Sequence, residues 1–105
     1  MQIERPNYVV VFISQRAEGD KGYGAMAERM VESVAKFNGY LGSESARDET
    51  GLGITVSYWQ GLDDISRWKA DAEHQTAQRL GREQWYEHFR LTVAKVEKDM
   101  YWKKS

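Results

Sequence analysis

From Leu52 to Trp59 the chain reads LGITVSYW, alternating bulky apolar residues with small or polar ones until it ends on an indole. Successive side chains of an extended strand point to opposite faces. Leu52, Ile54, Val56 and Tyr58 therefore share one face, and Gly53, Thr55, Ser57 and Trp59 share the other. Such a strand must lie between two different surroundings. Its apolar face needs a covering layer, while its small polar face leaves space under any helix laid across it, with Trp59 closing one end.

The rest of the pattern arranges itself around that strand. Tyr8 to Gln15 is rich in Val, Ile and Phe with no helical spacing and reads as a strand buried on both faces. Arg16 to Gly22 reads as a loop. From Tyr23 onward Met26, Met30, Val34 and Phe37 recur at intervals of three and four, one stripe of a helix that Asn38-Gly39 is expected to end. Tyr40 to Arg47 reads as a second strand, joined to Leu52–Trp59 through the turn Asp48-Glu49-Thr50-Gly51.

Beyond Gly61, Leu62 to Ala70 reads as a short helix with Asp63 and Asp64 in its first turn, where the helix dipole favours acids, and with Leu62, Ile65 and Trp68 inward. Asp71 is placed to cap a following helix that runs to about Leu80 and ends at Gly81. GREQWYEHF reads as one or two more helical turns, Arg90 to Glu97 as the last strand, and residues 99–105 as a tail carrying Tyr101 and Trp102.

The order strand, helix, strand, strand, helix, strand is that of an α+β ferredoxin-like split βαβ sandwich with an antiparallel sheet. Helices can cover only one face of it, so the apolar opposite face must find another sheet. A homodimer with two sheets face to face is expected, with Leu52, Ile54, Val56 and Tyr58 at the contact.

Composition narrows the function. The 105 residues suit one domain, 1–105. The chain lacks cysteine, which removes thiolate nucleophiles, iron–sulfur ligation and disulfides. Fifteen basic against 16 acidic residues give a net charge of −1, without the concentrated positive charge that nucleic-acid binding needs. The apolar run from Tyr8 to Ile13 is too short for a signal-peptide core or a membrane span, so a cytoplasmic location and no membrane partner are expected.

Candidate site residues cluster between Gly53 and Gln78. Trp59 and Trp68 have two readings, core packing and walls of a pocket for a small aromatic ligand. His74 lies near a helix N-terminus, which disfavours its protonated form and suits a neutral base; the plainer reading is a surface histidine. Thr55, Ser57 and Gln78 offer hydrogen bonds. His88 reads as structural. No metal site is expected, since the two histidines have no ligand spacing. Ser57, His74 and an aspartate can be written as a triad, but no nucleophile-elbow motif supports one. GDKGYG lacks the phosphate-loop pattern, and Met26 and Met30 read as core.

SYWQGLDDISRWKADAEHQTAQRLGREQWY, together with NGYLGSESARDETG, resembles the antibiotic biosynthesis monooxygenase (ABM) domain family over about residues 6 to 98. The resemblance implies a dimeric α/β barrel and a monooxygenase that uses no cofactor on a small aromatic or quinol-like substrate. In such relatives a Trp at the end of the third strand and an Asn four residues earlier line the pocket; Trp59 matches the first, and Thr55 stands at the second. It further implies Trp59 and Trp68 sandwiching the ring, His74 as the catalytic base, and Thr55, Ser57 and Gln78 binding substrate. The alternatives are a haem-binding or haem-degrading protein of the same fold and a non-catalytic ligand-binding module. For haem, Trp68 fits the contacting Trp, but Gln78 stands where relatives keep the iron-ligating His, so His74 would have to substitute.

Overall fold

The computed structural model describes residues 5–105, apart from the side chains of Ala72 and Glu73. In chain order it has β1 (Tyr8–Arg16), α1 (Tyr23–Val34), β2 (Tyr40–Arg47), β3 (Leu52–Trp59), α2 (Leu62–Ala70), α3 (Ala72–Leu80), a wide turn at Gly81–Trp85 and β4 (Tyr86–Lys95). The strands form one sheet in the order β2-β3-β1-β4. All its pairings are antiparallel. This is the expected α+β ferredoxin-like topology. Among the described residues no helix is long and apolar enough to cross a membrane.

Register decides which residues meet. Val10 faces Ser57, Phe12 faces Thr55 and Ser14 faces Gly53, so these share the helix-covered side of the sheet. There Val10, Trp59 and Ile65 form the buried centre, with Tyr8, Val34, Phe37, Tyr40, Trp68 and Leu91 packed around it. On the other side Val9, Val11 and Ile13 align with Tyr58, Val56 and Ile54. Among the described residues no helix lies there, and Leu52 and Ile54 remain 41% and 46% exposed.

That open face corrects one expectation. β1 is not buried on both faces: Val10 and Ser14 are buried, whereas Val9, Val11 and Ile13 are only partly so. Leu62 also departs from the expected inner face and is 51% exposed, while Ile65 is 2% exposed. Six residues of an α-helix leave Leu62 about 120° around the axis from Trp68, so both cannot face the core.

Two boundaries differ as well. α1 stops at Val34, and a turn closed by Phe37 N–H donating to the Val34 carbonyl at 3.1 Å intervenes before Gly39. Gly39 has φ 84°, and a Cβ there would collide with the Asp64 carboxylate, so the position admits glycine alone without strain. Gly81 does not end the helical path. The backbone widens by one residue, with Tyr86 N–H donating to the Gly81 carbonyl, and β4 begins at Tyr86 rather than near Arg90. Long-range pairing of Arg16 with Tyr86 draws these residues into the sheet.

Candidate functional site

The period-two backbone of β3 puts Ser57 and Trp59 side by side on the helix-covered face. Trp59 is fully buried, and its Nε1–H donates to Ser57 Oγ at 2.9 Å. Ser57 keeps its own hydroxyl proton for another acceptor. Tyr40, at the start of β2 and directly opposite Trp59, meets the indole edge-on at 5.4 Å and bonds Ser43 through its hydroxyl at 2.8 Å.

α2 delivers Trp68 onto this floor. The two indoles lie 5.3 Å apart, tilted by 35°. Asp71 is a single extended residue between α2 and α3 (φ −61°, ψ 136°), and it turns the chain so that His74 comes back beneath Trp68. The imidazole and indole centroids are 4.1 Å apart. The Asp71 carboxylate accepts the His74 backbone N–H only at 3.4 Å, a long cap.

His74 is 9% exposed, and among the described residues neither ring nitrogen has a hydrogen-bond partner. A buried polar group without a partner costs about 1–3 kcal/mol. Burial pushes the His74 pKa down to about 4; Asp71 pulls it up by charge and Lys69 pushes it down. The ring is therefore neutral near pH 7, with one nitrogen able to accept a proton.

These positions sort the expected residues. Trp59, Ser57, Trp68 and His74 come together. Thr55 is half-buried on the same sheet face, one row farther along, opposite Phe12. Gln78 lines a shallow surface hollow with Gln75, Thr76, Arg79 and Arg82, away from the indoles. His74 is not a surface histidine, whereas His88 is exposed on β4. The expected ring sandwich is corrected: the indoles touch each other, and a ring held between them would need a separation of about 7 Å. Nor does the space above Gly53 form a cleft, because the Arg47 guanidinium fills it.

A second cluster at the other end of the sheet escaped the sequence reading. Arg16 lies 3.9 Å over the Tyr23 ring, which meets Trp85 and Tyr86 edge-on at 5.8 and 5.9 Å. Arg47 Nη2 donates to Ser14 Oγ at 2.9 Å, and Nη1 to the Ser14 and Gly51 carbonyls at 3.2 and 2.6 Å. Only the nonlocal register, with Arg47 opposite Gly53 and Gly53 opposite Ser14, makes this visible.

Among the described residues no group of three His, Cys, Asp or Glu side chains could hold a metal ion. Haem does not fit these residues as they stand, since Trp68 covers the imidazole and Gln78 lies outside the cluster.

Comparisons with known proteins agree with this architecture. The sequence profile described as antibiotic biosynthesis monooxygenase matches residues 6–80. The uncharacterized protein YqjZ of Bacillus subtilis is 50% identical over 95 residues, 90% of this chain and 83% of that protein. Among solved structures, Rv0793 of Mycobacterium tuberculosis superposes with a TM-score of 0.77 at 8% identity, covering 90% of this chain and 98% of that one. SnoaB of Streptomyces nogalater, a cofactor-independent oxygenase, superposes with a TM-score of 0.75 at 10% identity, covering 91% and 98%. Likenesses this remote in sequence speak for the fold, but the profile spans most of the chain: it belongs to the antibiotic biosynthesis monooxygenase domain family.

Proposed function

We propose that the chain is a cofactor-independent monooxygenase for a small aromatic or quinol-like substrate, with His74 as its base. The observation that carries this reading is a buried, neutral imidazole stacked on the Trp68 indole, with both nitrogens bare among the described residues. The fold shared with SnoaB supports it as an analogy.

Some electron-rich aromatics reduce dioxygen themselves once deprotonated, so the protein need only bind the ring in a dry place and take the proton. His74 accepts the proton of a phenol or enol hydroxyl. At a ring methylene the balance is then complete: both C–H bonds break, one oxygen of O2 becomes the new carbonyl, and the other leaves as water with both hydrogens. All electrons come from the substrate. Trp59 supplies the apolar floor, Ser57 a hydroxyl donor for the developing anion, and Thr55 a further polar contact on the same face.

A base of pKa about 4 is a poor match for a phenol. Its low value belongs to the closed site; an anion formed beside the imidazolium raises it. Oxygen uptake with anthrone or a hydroquinone, without added metal or reductant, tests the reading. His74→Gln is expected to lower the rate by about a hundredfold or more while the fold is kept. Uptake unchanged by His74→Gln would remove His74 from the chemistry.

The uncovered sheet face supports a homodimer. Leu52, Ile54, Val56 and Tyr58 line it with Val9, Val11 and Ile13 from β1, and exposed apolar area of this kind marks an association surface. Ile54→Lys is expected to yield monomers in sedimentation analysis.

A further inference from the structure

Trp68 has a place in the site that neither simple packing nor a fixed wall accounts for. Its ring centroid lies 4.1 Å from that of His74 and 5.3 Å from that of Trp59, so it touches both. It is itself only half-buried, whereas Trp59 is fully buried and Ser57 and His74 are 8% and 9% exposed. An aromatic ring already sits where the base would have to meet one.

We infer that the Trp68 indole occupies the ring slot of the site and that a ligand binds by taking its place between Trp59 and His74. This rests on the reading of the Trp59–His74 cluster as the site. Covering an imidazole with an apolar indole leaves both its nitrogens unpaired, and a ligand hydroxyl in the same position would satisfy one of them. The chain gives the indole room to leave: Trp68 is only half-buried and lies near the end of the short helix α2, held between Gly61 and the extended Asp71. Trp68 then sets both access and selectivity. The slot fits a planar ring at least as large as an indole, and the protein without ligand rests in a closed state.

The two histidines make this testable without any turnover, because His74 is buried under Trp68 and His88 is exposed. Diethyl pyrocarbonate acylates accessible neutral imidazoles, so in the wild type His88 is expected to react first and His74 slowly. Trp68→Ala, and the bulkier Trp68→Leu should alanine unfold the chain, is expected to speed acylation of His74 toward the rate of His88 while His88 itself is unchanged. An unreactive planar probe, 1,8-dihydroxyanthraquinone, is expected to bind the Trp68 variant about tenfold more tightly, since the cost of opening has been removed.

Each alternative has its own signature. A His74 that stays as slow in both variants as in the wild type overturns the displacement model, because another group must then cover it. A probe that binds wild type and is weakened by loss of Trp68 also overturns it, making the indole a fixed platform while the proposed activity stands. If His74 becomes reactive but the probe binds neither protein, the ligand slot is overturned together with the oxygenase reading.

Discussion

The two ends of the helix-covered face are both aromatic, yet they treat their polar atoms in opposite ways. At the Tyr23–Trp85 end the indole and both guanidinium groups find acceptors: Trp85 Nε1–H donates to the Lys21 carbonyl at 2.9 Å, Arg16 to the Trp85 and Gly19 carbonyls, and Arg47 to Ser14 and Gly51. Burial, followed by the charge and hydrogen bond of Tyr23, pushes the Tyr86 hydroxyl pKa up and keeps it protonated. At the Trp59–His74 end the Trp59 N–H is satisfied, but among the described residues both imidazole nitrogens are bare. A satisfied cluster explains itself as structure. An unsatisfied one leaves room for a ligand's polar atom, and the proposed function rests on this end.

The contrast can be broken most forcefully at the indoles common to both ends. Trp59→Ala and Trp85→Ala are each expected to cost about 3–5 kcal/mol in denaturant unfolding, because both rings are buried. Equal losses would show that packing alone does not separate the two regions. pH does separate them. His74 is protonated with a pKa of about 6.5 in the unfolded chain and about 4 in the folded one. Above the unfolded value the shift contributes nothing, and as pH falls toward 4 the unfolded state gains a proton that the folded state refuses. Stability should drop over that window by about 2–3 kcal/mol, and His74→Phe should remove that component of the acid loss.

Smaller effects sharpen the distinction. Arg47→Met strips partners from buried Ser14 and is expected to cost about 1–2 kcal/mol by thermal unfolding. His74→Phe at pH 7 is expected to be neutral or to raise the melting temperature by about 4–8 °C, since it replaces an unpaired polar ring by an apolar one. If both substitutions destabilised the fold alike, the imidazole would be structural after all. His88→Ala, an exposed change, should stay within about 0.5 kcal/mol of wild type.

What could be read from the sequence follows the range of the forces involved. β2, β3 and α2 were legible to the residue because alternation, acidic first-turn residues and bounding glycines are local signals. β4 was misplaced because Tyr86–Phe89 becomes strand only by pairing with β1, across about seventy residues of chain. In the site, the side on which Trp59 lies followed from the pleat. The stack of Trp68 on His74 depends on the bend at Asp71, which spacing alone does not reveal. The same limit hid Gln78: a helical offset from relatives placed it near a ligand, whereas it lies in the outer hollow of α3.

β3 also bears on how a chain like this can change. Its eight residues serve two surfaces by parity alone, even positions for the uncovered face and odd ones for the site. Substitution can tune either surface independently. A one-residue insertion or deletion within the strand would exchange them, turning Trp59 outward and pressing Tyr58 into the core. Length variation that keeps both surfaces in place therefore belongs in the turns and not within the strand.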